Sequence, residues 1–334
     1  MKHNAINAMI VALTGILLVA VAARYAPQLR HQARADSLPE LIDLAPADST
    51  LVAYADLAAL RASPLVQVLA ALAQPSNVDH DYAEFVRATG FDYQKDLDRF
   101  VIATRTGTAA QTLVFAEGRF DRARIEGYAL RSGTLVNQNG RTVYVMPSGT
   151  AGKKVSLTFL AANRIVLSDG GDLPSSLAAG TAPSLDPNLR ERISRVAGSP
   201  LFAVAKAGAI AQDDAGGAPS VMAGTPFASL RWVSLAARPE GAQALLSIEG
   251  ECDNPGDAQK VAGSLEVVRG MLHGGLADPK SRGQMSAETA AAADRMLQGV
   301  QVSTDAERVR LLLTLTPELL ARPAAPAPAN GSAH

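Results

Sequence analysis

Cysteine, tryptophan and any imbalance of charge are nearly missing from this chain. Cys252 is the only cysteine, so no intramolecular disulfide can form. A lone thiol in an exported protein reads as buried and inert, with a redox or intermolecular role as the alternative. Aromatic residues make up 4% of the chain, and 31 basic side chains face 32 acidic ones. That balance leaves no electrostatic footprint for nucleic acid and no strongly basic surface for anionic lipid. No Gly-x-Ser-x-Gly elbow, phosphate-binding loop or dinucleotide fingerprint occurs. Of the five histidines, His3 and His334 are terminal and His31 lies near the start, leaving His80 and His273. Asp79-His80-Asp81 is a local cluster that could touch a cation. Adjacent residues at a helix start do not converge as metal ligands must, so a solvated turn is the better reading. Asp213-Asp214 lacks the ligand spacing of a calcium loop. Lys153-Lys154 reads as a solvated strand edge before it reads as an anion site. No catalytic, cofactor-binding or metal-ligating residue is assigned, and no cofactor is implied.

What the chain does have begins at its start. Met1-Lys2-His3-Asn4 is short and basic, and Ala5 to Ala23 then runs 19 residues without a charge. As a helix that run is about 28 Å long, close to the hydrocarbon thickness of a bilayer. Residues 1–23 are expected to be a signal anchor, with a cleaved signal peptide as the alternative, since Val19 to Ala23 supplies small residues for a cut. No cysteine stands directly after the segment, so a bacterial lipid-modified N-terminus is not expected. Arg24, Arg30 and Arg34 favour a cytoplasmic body, but large domains translocate largely regardless of charge. The expectation is a body on the periplasmic side of a bacterial inner membrane. Residues 24–37 are expected to be a juxtamembrane stalk, and residues 323–334 a disordered Pro/Ala tail.

The body contains a repeat. Thr112-Leu113-Val114-Phe115-Ala116-Glu117-Gly118-Arg119-Phe120-Asp121 aligns with Ala244-Leu245-Leu246-Ser247-Ile248-Glu249-Gly250-Glu251-Cys252-Asp253. At the same spacing Arg99-Phe100-Val101 matches Arg231-Trp232-Val233. Leu51-Val52-Ala53-Tyr54 resembles Leu201-Phe202-Ala203-Val204, and Asn163-Arg164-Ile165-Val166-Leu167 resembles Glu307-Arg308-Val309-Arg310-Leu311. Four blocks in one order predict two α+β repeats, at residues 38–182 and 183–322. Within the long block, Gly118 and Gly250 suit backbone angles that other residues avoid. Asp121 and Asp253 stand where a helix cap belongs. Glu117 and Glu249 could form a symmetric pair of carboxylates for metal or acid–base work. No His or second carboxylate is placed to help, so they read first as strand-end carboxylates.

Local signals fill in the elements. Ser63-Pro64 and Asp186-Pro187 are helix starts, and Asn137-Gln138-Asn139-Gly140 is a hairpin turn. Ala258, Val261, Leu265, Val268 and Leu272 share one face of a helix that His273-Gly274-Gly275 is expected to break. Ala211 to Pro226 reads as a loop. The strands are joined mostly by hairpins, so antiparallel sheet should dominate.

The runs Leu44-Ala45-Pro46-Ala47-Asp48-Ser49-Thr50, Tyr54-Ala55-Asp56-Leu57 and Leu60-Arg61-Ala62-Ser63-Pro64 resemble the opening of an uncharacterised bacterial exported or membrane-anchored family. So do Thr89-Gly90-Phe91-Asp92, Asp96-Leu97-Asp98 and Gly118-Arg119-Phe120-Asp121. The resemblance covers most of residues 44–322. It implies duplicated α+β units and carries no catalytic residue.

The expected fold is therefore α+β. Two pseudo-symmetric repeats with mainly antiparallel sheets carry helices on one face and follow an N-terminal transmembrane helix. The expected function is a non-enzymatic, membrane-anchored envelope module that binds or scaffolds. Two alternatives stand beside it: a carrier with an apolar cavity between the halves, and an enzyme whose site has no motif. Partners are the membrane, through the N-terminal helix, and an envelope protein or lipid. No nucleic acid is expected, and the oligomeric state is left open.

Overall fold

The structure, a computed structural model, describes residues 40–67, 80–106, 110–138, 140–147, 153–169, 172–174, 177, 185–212, 225–277 and 287–317. The expected anchor, stalk and tail lie outside the described residues, as do Asp79 and Asp213-Asp214. Among the described residues no helix is long and apolar enough to cross a membrane.

The fold is α+β around one large antiparallel sheet. Its strands are β1 (Leu51–Asp56), β2 (Leu97–Arg105), β3 (Gln111–Gly118), β4 (Thr134–Gln138), β5 (Arg141–Pro147) and β6 (Lys154–Ala161). They continue as β7 (Arg164–Ser168), β8 (Leu201–Lys206), β9 (Leu230–Glu240), β10 (Gln243–Cys252), β11 (Gln301–Asp305) and β12 (Arg308–Leu315). The order across the sheet is β11-β12-β10-β9-β8-β1-β2-β3-β7-β6-β5-β4. The separate sheets expected from the sequence are thus a single sheet, because β1 pairs with β8 over Leu51↔Ala205 to Ala55↔Leu201.

Helices are α1 (Leu57–Arg61), α2 (His80–Thr89), α3 (Tyr93–Asp96), α4 (Arg122–Ser132), α5 (Pro187–Val196), α6 (Ala207–Gln212), α7 (Pro255–Ala277) and α8 (Ala287–Gly299). They cover both faces of the sheet, which corrects the expectation of one covered face. On one face Val52, Tyr54, Val101, Phe115 and Phe202 pack with Leu189 and Ile193 of α5. On the other, Ala53, Phe100, Ile102 and Val114 pack with Ile125 and Ala129 of α4. The reason is in the central strands. Val101-Ile102-Ala103 and Leu113-Val114-Phe115-Ala116 are unbroken apolar runs, buried on both sides. A strand apolar on both faces cannot leave either to water.

Local chemistry explains the element ends. The Asp121 carboxylate accepts from the Arg124 backbone N–H at 3.1 Å and caps α4. At α7 the cap is Asn254, whose Oδ1 accepts from the Asp257 N–H at 3.0 Å. Pro255 at the first helical position puts Asn254, rather than the expected Asp253, at the cap. α7 also runs through His273-Gly274-Gly275 to Ala277. Adding residues to a long helix is cheap compared with nucleating one, and each glycine costs only about 1 kcal/mol. His273 Nδ1 lies 2.6 Å from Asp294 of α8, which ties the last turns down. The apolar stripe of α7 is buried at Ala258 and Val261 but exposed at Val268 and Leu272.

Gly118 and Gly250 do not take positive φ, unlike Gly90, Gly140 and Gly241. Their role is close approach. A Cβ on Gly118 would stand 2.2 Å from the Asp96 carbonyl oxygen, and one on Gly250 would stand 2.6 Å from Leu230 Cδ2.

Candidate functional site

Two rows of polar side chains cross the sheet, each following the strand register. In the first, Asp56 faces Arg99, Arg99 faces Glu117, and Glu117 faces Arg164. Arg99 Nε is 3.1 Å from Asp56, and Arg164 Nε donates to Glu117 at 2.9 Å. Opposite charges directly across strands stabilise a sheet by a few tenths of a kcal/mol to about 1 kcal/mol each. Burial, reinforced by Asp56, pushes the nearby Tyr54 hydroxyl well above its ordinary pKa.

In the second row, Lys206 faces Trp232, Trp232 faces Glu251, and Glu251 faces Arg308. An aromatic ring here replaces the second member of an ionic ladder. Asp186 starts α5 by accepting from the Asn188 backbone N–H at 2.9 Å. This bond holds its carboxyl below the usual range. One turn later Arg192 Nη1 donates to the Asn188 carbonyl at 2.8 Å, and Nη2 pairs with Glu251. The Arg192 guanidinium carbon lies 4.5 Å from the centre of the Trp232 ring, and Lys206 Nζ lies 5.4 Å from it.

An open cleft of about 630 Å³ is built on this row. Asp186, Asn188, Arg192, Lys206, Trp232 and Glu251 line it, with Arg231 and Leu230 at the start of β9. The volume falls within the range typical of small-molecule sites, about 300–1,000 Å³. What the cleft can do is hold a ligand by charge and hydrogen bonds, since the Trp232 ring at its base is buried and already meets Arg192 and Lys206.

An apolar void among the described residues is small. Phe85, Phe91, Phe120, Ile125 and Tyr128 surround an apolar void of about 30 Å³, under α2 and α4 rather than between the halves. That is room for about one water molecule and far short of an acyl chain.

The residues weighed from sequence are scattered. Glu117 is occupied by Arg164 and Arg99. Glu249 lies 2.7 Å from Arg310 and 3.4 Å from Arg195. Both are ladder members in structure, and they do not meet, since β3 and β10 are separated by β2, β1, β8 and β9. His80 belongs to α2, and Lys153 and Lys154 are exposed beside β6. Among the described residues no three His, Cys, Asp or Glu side chains group closely enough to hold a metal ion. Cys252 is buried, and burial pushes its thiol pKa up, which keeps the reactive thiolate scarce.

Sequence reasoning passed over Lys206, Arg192, Trp232 and Glu251. One signal was available: Trp232 is the only tryptophan, and it stands at a strand start beside Arg231.

No family model and no curated sequence matches the chain. Among solved structures, crystal form III of TP0453 aligns at 11% identity and a TM-score of 0.45, over 85% of this chain and 97% of that chain. Crystal form IV of TP0453 aligns at 12% identity and a TM-score of 0.46, over 86% of this chain and 97% of that chain. Neither likeness is strong enough to carry a conclusion about this chain.

Proposed function

We propose that this protein is a non-enzymatic binding module of the bacterial envelope. Residues 1–23 tether it to the inner membrane and the body stands outside the cytoplasm. Two copies of one α+β unit, 38–182 and 183–322, share the sheet, and the second copy presents its ligand cleft over Trp232. The observation that carries the binding reading is that cleft: open, of ligand size, and built from charges fixed by their neighbours.

The strand register supports the two-copy reading. Ala53 lies opposite Ala203, and Leu51↔Ala205 mirrors Ala55↔Leu201. Outward from there β2, β3, β7 and β6 on one side correspond to β9, β10, β12 and β11 on the other. Asp56, Arg99, Glu117 and Arg164 take the places of Lys206, Trp232, Glu251 and Arg308. The partner of Glu117 by register is therefore Glu251, two residues beyond the Glu249 that the sequences align. Where the first copy inserts the β4–β5 hairpin, the second carries the long α7 and α8.

Native mass spectrometry tests the function. The full-length protein and Trp232→Leu, which keeps apolar cover over the sheet, are exposed to the small molecules of an envelope extract. An adduct is expected on the wild type only, and it should be released chemically unchanged. An equal adduct on both proteins, or a converted product in solution, contradicts the reading.

A further inference from the structure

The chemistry of the cleft narrows what it can take. Three cations, Arg192, Lys206 and Arg231, line it against two carboxylates, Asp186 and Glu251. The carboxylates are already engaged. Glu251 Oε1 pairs with Arg192 and Oε2 lies 3.4 Å from Arg195. Asp186 Oδ1 accepts from both the backbone and the side-chain amide of Asn188, at 2.9 and 3.2 Å.

The cations have capacity to spare. Lys206 Nζ carries three donors, and its contact with Asp186 is 3.7 Å, longer than a hydrogen bond. Arg231 is 61% exposed and reaches Asp253 with Nε at 3.4 Å. Arg192 is the deepest of the three, its side chain only 10% exposed. Its Nε is buried without a hydrogen-bond partner. That N–H is an unmet donor, although Glu251 balances the charge of the guanidinium. The Trp232 ring is already used by two cations, so it does not offer an empty aromatic cage to a cationic ligand.

We propose that the cleft over Trp232 receives an oxyanion, a carboxylate or phosphate group on a small molecule, through Lys206 and Arg231. The inference rests on the cleft being the binding site.

Because Trp232 is the only tryptophan, fluorescence of the full-length protein excited at the red edge of the indole band, where tyrosine does not absorb, reports on this cleft. The protein in nonionic detergent is titrated with inorganic phosphate, glycerol 3-phosphate and acetate, at ionic strength fixed with sodium chloride. A saturable change in emission is expected from at least one of them or from short-chain phosphatidylglycerol added in the same detergent. Lys206→Ala and Arg231→Ala should each weaken the apparent affinity about tenfold, the worth of one charge-assisted hydrogen bond. Arg238→Ala, near the far end of β9, should titrate as the wild type does. Circular dichroism confirms that each variant is folded. A response to glycerol 3-phosphate places the oxyanion on a free molecule, and one to short-chain phosphatidylglycerol alone, added in the same detergent, places it on a lipid head group; either upholds the proposal. An equal response to chloride, or cation variants that titrate unchanged, overturns it. Saturation by a neutral sugar or a quaternary ammonium, with every oxyanion inert, ends the oxyanion claim and leaves the cleft as a binding site. Silence from all of these probes, together with adducts that ignore Trp232→Leu in mass spectrometry, ends both.

Discussion

Phe202→Ala is expected to cost about 3–5 kcal/mol of stability, the range for removing a fully buried aromatic side chain. Phe202 is wholly buried on β8, directly opposite Tyr54 of β1. The two rings stack at 5.1 Å with 28° between their planes. They stand at the middle of the sheet, where the first and second halves of the chain meet. The cavity left there cannot collapse easily, because strands on both sides are fixed in register and Val204 and Trp232 belong to the same cluster. The midpoint of thermal unfolding should fall on the order of 10 °C for a body of this size. Loss should be felt by both halves in one transition, as expected for a sheet unfolding cooperatively. Calorimetry checks both points, and a small shift confined to a second, separate transition would argue against this packing.

Gly118→Ala is expected to destabilise by about 3 kcal/mol, while Gly250→Ala costs about 1 kcal/mol or less, since overpacking matters most where nothing can yield. The sequence places these two glycines in matching Glu-Gly blocks, and the structure separates them. At Gly118 the obstacle is the Asp96 backbone carbonyl, which also accepts from the Arg119 N–H at 2.8 Å. It cannot move without opening the junction where β2 meets the end of β3. At Gly250 the obstacle is the tip of the Leu230 side chain, which can change rotamer. Urea unfolding of the two single variants measures the difference. Equal losses would mean that the β2–β3 junction is more pliant than its geometry implies.

Much of the fold is legible in the sequence because it depends on neighbours in the chain. The run Asn137-Gln138-Asn139-Gly140 signals the hairpin of β4 and β5, where Gly140 has φ +81° and its N–H donates to the Asn137 side chain at 2.9 Å. Asp186-Pro187 starts α5 in the same local way. The α7 cap stands one residue later than expected because Pro255 takes the first helical position, and α7 runs past the expected stop because its last turns meet Asp294 of α8 through His273. The single sheet was harder to read. The pairing of β1 with β8 closes a loop of well over a hundred residues, and nothing in either strand announces its partner. Continuous apolar runs in β2 and β3 did carry the signal that both faces would be covered.

The cleft was least legible of all. Asp186, Arg192, Lys206, Trp232 and Glu251 come from a cap, a helix and three strands. They meet only because β8, β9 and β10 pair in one register, and α5 lies on the face where Trp232 points. No short motif can encode that meeting. The ladder logic also explains why Glu117 and Glu249 repeat as a pair and yet read first as strand-end carboxylates. Carboxylates at regular strand positions serve cross-strand arginines, and in sequence such a ladder looks like a repeated acidic site.

The central claim is that the cleft over Trp232 is where this protein meets its ligand. A crystallographic fragment screen tests it most directly. The account predicts acidic fragments in the cleft, against Trp232 and within hydrogen-bond reach of Lys206 or Arg231. A cleft that stays empty, while fragments gather under α2 and α4 or along the β4 edge, would contradict it.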